Sequence, residues 1–197
     1  MRRMRSMTLP LILFASSLAL LSCARQNPGP PVMSDADYVA RGHYLTTVTG
    51  CNDCHTPGTF WGAPDTTRTL SGSELGWKGP WGVTYAANLT PEPQTGIGAW
   101  SESDIITAIR VGKSPDGTML LPPMPWPDYA FLTDEDAKSI AKYLKTIPPV
   151  MHKVPDRMPP GAKAKGSIIA FPPPSAWDAP RTLPVSSDSV AIGGTTP

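Results

Sequence analysis

Cysteine is scarce, with 3 in 197 residues, so no network of disulfides holds this chain together. Aromatic residues are also few, at 8%, while 25 prolines and 17 glycines predict much irregular chain around a modest core. No excess of one charge exists: the formal net charge is +1, and it is not gathered into a basic stripe, which excludes a nucleic-acid footprint. No repeat of fixed period is present, which argues against a second copy of any module. Long apolar runs are missing except for residues 9–21, too short to span a bilayer comfortably. Arg2, Arg3 and Arg5 stand ahead of that run, and together they read as an export signal over 1–22.

The run closes in Leu20-Leu21-Ser22-Cys23, which resembles the lipobox of bacterial lipoproteins. That resemblance implies lipidation at Cys23 and a periplasmic, membrane-anchored chain. The alternative is ordinary signal cleavage nearby and a soluble periplasmic protein. Cutting before Cys23 takes the first 22 of 197 residues and leaves 175, with 14 basic and 16 acidic side chains. The Pro- and Gly-rich stretch that follows makes 23–33 an extended tether.

Two of the three cysteines sit in Cys51-Asn52-Asp53-Cys54-His55. Thiols three residues apart can each form a thioether to a haem vinyl group, and the adjoining histidine is placed to ligate iron from one face. One such pentapeptide predicts one covalent haem c. A half zinc site needs a second ligand pair, and a redox dithiol needs a strand-helix-strand setting. Neither accompanies this motif. With Cys23 lipidated and Cys51 and Cys54 bound to haem, no thiol is left over.

Three helix starts are legible. Ser34 with Asp37, Ser101 with Asp104, and Thr133 with Asp136 each have capping-box spacing. They predict helices over 35–49, from 102 to Gly112, and from 134 to Pro148, the last with Ala137, Ile140, Ala141 and Leu144 at i, i+3, i+4, i+7. Gly42 lies inside the first, which suggests either close approach of another helix or a glycine merely tolerated. Residues 56–93 lose periodicity but hold Phe60, Trp61, Trp77, Trp81 and Tyr85, as suits a long loop wrapped on a cofactor or a locally packed surface loop. In Pro122-Pro123-Met124-Pro125-Trp126-Pro127 the prolines predict an extended, rigid segment that presents one side chain. Beyond 150 the Pro-rich chain reads as an extended tail over 151–197, which Phe171 and Trp177 pin in part.

The order of signals over 34–150 resembles a class I cytochrome c: mainly α, with three or so helices and long loops around one covalent haem. Asn88-Leu89-Thr90-Pro91, Thr95-Gly96-Ile97-Gly98-Ala99-Trp100, Met124-Pro125-Trp126-Pro127 and Leu132-Thr133-Asp134-Glu135-Asp136 are similar to haem domains of bacterial alcohol and gluconate dehydrogenase cytochrome subunits. Those subunits usually carry three such domains, and this chain shows one. The resemblance implies that Cys51 and Cys54 hold the porphyrin, that His55 is the proximal iron ligand and that Met124 is the distal one. It also implies that Asn88, Trp100 and Arg110 lie near the propionates. Among the methionines, Met119 is the nearest rival, while Met151, Met158 and His152 follow the last helix.

With nitrogen on one face of the iron and thioether sulfur on the other, no position stays open for substrate. The expectation is an electron carrier, not an enzyme, working between redox proteins such as a dehydrogenase and a terminal oxidase or another cytochrome. A haem enzyme or gas sensor with an open or labile distal side is the alternative. His43 and His152, as lone histidines, read as solvated and promote neither.

Overall fold

The computed structural model describes residues 33–176. The export signal over 1–22, Cys23, the tether up to residue 32 and the tail from Trp177 onward lie outside the described residues. Five helices and three strands follow in the order α1 (Asp35–Val48), α2 (Cys51–His55), β1 (Gly76–Gly79), β2 (Gly82–Tyr85), α3 (Glu102–Val111), α4 (Trp126–Tyr129), α5 (Asp134–Thr146) and β3 (Ile168–Ala170).

The caps define the long helices. Ser34 and Ser101 each accept a bond from the backbone N–H three residues on, and Asp37 and Asp104 reach back to complete both boxes. Thr133 caps α5 through Asp136 N–H, but the Asp136 carboxylate turns outward and accepts from Arg41 Nε at 2.9 Å. A cap that would have been closed within one helix thus ties α5 to α1. Gly42 permits that crossing: a Cβ built on it would stand 2.0 Å from the Ser139 carbonyl oxygen and 2.6 Å from Tyr143 Cβ. Close approach of a neighbouring helix is therefore the reason for this glycine. Leu45 of α1, Ile105 of α3 and Ile140, Ala141 and Leu144 of α5 join Leu70 and Ile97 in one buried cluster. The helices form one wall of that core, and loop residues form the other.

The stretch over 56–93 differs from the sequence expectation by holding β1 and β2, antiparallel with Trp77 opposite Thr84. Each strand is four residues long and contains glycine, so neither carries an alternation that a sequence pattern registers. Chain beyond 150 is anchored as well as extended. Val83 and Met158 exchange both backbone hydrogen bonds, at 2.9 and 2.8 Å, and β3 adds to β1 in parallel with Ile169 opposite Trp77. The sheet order is β2-β1-β3. Phe171 packs against Trp77 and Trp81, with ring centroids 6.4 and 5.3 Å apart.

The Pro122 to Pro127 segment is not extended throughout. It turns at Pro122–Pro123, whose peptide bond is cis, and enters the short α4 at Trp126. Pro127 falls in the first turn of α4, where a missing N–H costs nothing because helix starts leave those donors unpaired anyway. Among the described residues, no helix is long and apolar enough to cross a membrane.

Candidate functional site

α2 is a single turn that begins directly after α1. Gly50 adopts φ 72°, which lets the chain reverse in one residue and start Cys51 in helical geometry. Thr49 Oγ1 lies 3.5 Å from Cys51 Sγ, and Thr56 Oγ1 bonds Asn52 Oδ1 at 2.9 Å, so side-chain contacts bracket the turn. His55 is 9% exposed, and its Nδ1 lies 2.7 Å from the Ala87 carbonyl oxygen. A carbonyl only accepts, so Nδ1 carries the proton and Nε2 keeps its lone pair. Burial pushes the His55 pKa down, against the opposing pull of the Ala87 bond, so the ring is neutral near pH 7. A neutral imidazole with a fixed tautomer is the form a metal ion takes.

Burial also pushes both thiols up. Attack on a disulfide and zinc chelation both use a thiolate, and reactive dithiols sit in settings that lower the thiol pKa. The two cysteines here have the opposite electrostatics. Among the described residues no cluster of three or more Cys, His, Asp or Glu side chains is arranged to hold a metal ion. Both the zinc and the dithiol readings lose their support.

Cys51, Cys54 and His55 instead line a cavity of about 420 Å³, within the range of about 300–1,000 Å³ of small-molecule sites. Its wall is mostly apolar and includes Ile97, Ile105, Ala108, Ile140 and Leu144 from the core. Met124 lines the same cavity, and so does Met119. Both lie on one loop. Leu120 N–H donates to the Gly112 carbonyl at 2.7 Å, Thr84 Oγ1 donates to the Pro122 carbonyl at 2.8 Å, and Trp126 packs where a Cβ on Gly112 would stand. Met119 is also held, by a bridge to Lys113. Rigidity thus does not separate the two methionines. Tyr129, another wall residue, donates to the Thr49 carbonyl at 3.0 Å and joins this loop to the start of the cysteine motif. Burial pushes its phenol up to about 12.

Of the three residues placed near the propionates by resemblance, Asn88 and Trp100 line the cavity and Arg110 does not. Arg110 Nη1 pairs with Asp134 at 2.5 Å across α3 and α5. The polar atoms of Asn88 are engaged elsewhere: Nδ2 donates to the Val150 carbonyl at 2.8 Å, and Oδ1 accepts from Thr90 N–H and Oγ1. Its role is to fasten the chain after α5. His152 likewise differs from the expectation of a solvated ring, with Nδ1 2.8 Å from the Ser71 carbonyl and Nε2 2.8 Å from Glu74 Oε1. Of the aromatics in the 56–93 loop, Trp77 and Tyr85 line the cavity, and Arg157 joins them with no distinctive sequence signal. Trp77 Nε1 is buried and has no hydrogen-bond partner.

No protein-family model matches the chain. It is 34% identical over 126 residues to the cytochrome c subunit of a quinone alcohol dehydrogenase from Gluconobacter oxydans, covering 62% of this chain and 25% of that protein. It is 35% identical over 139 residues to a gluconate 2-dehydrogenase cytochrome c subunit from Pantoea cypripedii, covering 71% and 28%. A diheme cytochrome c-type protein from Cereibacter sphaeroides is 31% identical over 160 residues, 76% of this chain and 50% of that protein. These relatives are cytochromes c. The chain spans about a quarter of the length of the first two and half of the third. Cytochromes c bind haem covalently, and the cavity fits such a group on grounds of its own: a mostly apolar space, two neutral thiols, a neutral imidazole with one free nitrogen, and an unpaired N–H.

Proposed function

We propose that this chain is a single-haem, class I c-type cytochrome that carries electrons in the bacterial periplasm. One observation carries the reading: Cys51, Cys54 and His55 lie on the wall of the same apolar cavity as Met124. Cys51 and Cys54 hold the porphyrin by thioether bonds, His55 Nε2 ligates iron, and the Ala87 carbonyl fixes the imidazole tautomer. When bound, the haem supplies one-electron exchange between ferrous and ferric iron. The rest of the wall excludes water and limits movement of the ligands between the two states. Similarity to dehydrogenase cytochrome subunits supports a dehydrogenase as electron donor, with a terminal oxidase or another cytochrome as acceptor.

Met124 is assigned as the distal ligand on its match to the Met-Pro-Trp pattern. Met124→Ala is expected to abolish the sulfur-to-iron charge-transfer band of the ferric protein in the near infrared, lower the potential and admit carbon monoxide. The discriminating variant is Met119→Ala. Loss of the band there, with persistence in Met124→Ala, moves the ligand to Met119, and carbon monoxide binding by the unmodified ferrous protein favours the sensor or haem-enzyme reading.

The lipobox-like Leu20-Leu21-Ser22-Cys23 supports a mature chain beginning at an acylated Cys23. Several acyl chains would hold the domain at a membrane far longer than one. Cys23→Ser is expected to move the cytochrome from the membrane fraction to the soluble one. Mass spectrometry of an unmodified N-terminus at another position would reduce the protein to a freely diffusing periplasmic carrier.

A further inference from the structure

Several of the largest apolar side chains stand in the open, outside the cofactor site. Phe60, Trp61 and Phe171 are 49%, 62% and 38% exposed, and none of them lines the cavity, so a bound cofactor leaves them uncovered. They are not scattered. Phe60 lies 6.3 Å from Trp61 and 4.9 Å from Trp77, and Phe171 lies 6.4 Å from Trp77 and 5.3 Å from Trp81, all between ring centroids. Trp61 is the tip of this cluster. It ends a short 3-10 turn, Thr59–Trp61, set between Gly58 at φ 79° and Gly62 at φ 73°, so the chain bends sharply on both sides of it. Single exposed apolar residues are ordinary, but a connected group of them marks an interaction surface.

The charge that accompanies these rings has one sign. The three segments that carry them, 57–63, 76–85 and 166–176, contain Lys78 and no aspartate or glutamate. Lys163 and Lys165 lead into β3, the strand that ends beside Phe171. All three lysines are exposed, and among the described residues no carboxylate pairs with them. Asp65 and Glu74, which flank the first two segments, are both held by Arg68, at 2.8 and 3.4 Å. We propose that this aromatic and lysine face is a docking surface for a lipid bilayer with anionic headgroups. Aromatic rings are favoured where headgroups meet acyl chains, and each lysine near an anionic leaflet strengthens binding roughly fivefold. A protein partner would enclose such rings in fitted pockets, whereas a projecting Trp61 suits a soft medium that closes around it. The lipobox reading favours lipid as well, since the eleven residues 23–33 reach at most about 40 Å and keep an anchored domain close to the bilayer. The surface itself does not need the anchor. Trp77 belongs to both settings, on the cavity wall and against Phe60 and Phe171, so docking sets the cofactor site one ring away from the lipid.

The experiment is co-sedimentation of the full-length holoprotein carrying Cys23→Ser, which has no acyl chain, with excess vesicles of phosphatidylcholine alone or mixed with phosphatidylglycerol. Pelleted protein is read on a stained gel. A surface of this kind binds marginally and reversibly, as one acyl chain does, so it registers at excess lipid and does not retain the protein in a washed membrane fraction. Binding is expected to be tighter to the mixed vesicles and to weaken as salt is added. Trp61→Ser and Phe171→Ser are each expected to weaken it about tenfold, since each withdraws one large ring from the interface, and Trp61→Tyr to restore most of it. Lys163→Gln with Lys165→Gln is expected to cut the preference for phosphatidylglycerol by about tenfold. Phe131→Ser is the control, because Phe131 is 89% exposed but makes no ring contact with the cluster, and it is expected to bind as the parent does. No pelleting with either vesicle at low salt, or pelleting of Trp61→Ser and Phe171→Ser equal to the parent, overturns the docking surface. So does a parent protein that sediments as a dimer and becomes monomeric in Trp61→Ser, which assigns the face to a second copy of the chain. None of these outcomes bears on haem attachment or on acylation of Cys23.

Discussion

A Cys51→Ala, Cys54→Ala double variant is expected to lose all haem that survives denaturation, so that haem staining on a denaturing gel falls from full intensity to background. Each thioether is a covalent bond from one thiol, and the two thiols lie within one helical turn on the cavity wall. Single variants retain one bond and are expected to stain still. Staining of the double variant as strong as wild type would sink the assignment. The same variant also reports on packing. A well-packed interior leaves few voids larger than a water molecule, yet this wall encloses about 420 Å³. His55 alone holds a cofactor only reversibly, so the haem-free fraction of the double variant is expected to melt at lower temperature and to lose the fixed aromatic environment seen in near-ultraviolet circular dichroism.

Gly42→Ala is the second change with a large expected effect, for steric reasons remote from the cavity. A methyl group 2.0 Å from the Ser139 carbonyl oxygen is far inside van der Waals contact, and the obstructing atom is backbone in the middle of α5. Either α1 or α5 has to move. Alanine gains about 1 kcal/mol in helix propensity over glycine, but overpacking of this kind costs about 1–3 kcal/mol or more, and a shift of α5 also disturbs Ile140, Ala141 and Leu144. A net loss of about 2 kcal/mol would lower Tm by about 4–8 °C in a chain of this size. Gly42→Val adds a branched side chain and is expected to cost more. Thermal melts of the haem-loaded protein are the check, and Gly42→Ala melting at or above wild type would mean that the two helices are not packed as described.

The contrast between these positions bears on what a sequence discloses. Ser34, Ser101 and Thr133 announce helices because capping is local, confined to four consecutive residues. The pentapeptide around Cys51 is equally local. β3 leaves no comparable mark, since Ile168, Ile169 and Ala170 form a strand only through partners some 90 residues earlier. Asn88 shows the same limit in the site: its position on the cavity wall follows from its motif, but its amide is committed to Val150, a partner that no motif names. Arg157 is an ordinary residue by type and spacing, and its place on the cavity wall follows from the pairing of its neighbour Met158 with Val83. Met119 and Met124 show the reverse case, in which folding brings together two candidates that the sequence separates by pattern and the structure does not separate by rigidity.

The parallel pairing of β3 with β1 has a consequence for assembly. β3 joins the sheet from the segment after α5, and its departure would leave β1 with a row of unpaired N–H and C=O groups. That open edge accepts an equivalent strand from any source, including the same segment of a second molecule. Conditions that loosen residues 151–170 therefore favour reciprocal exchange between copies, a dimer made from contacts that each monomer already possesses.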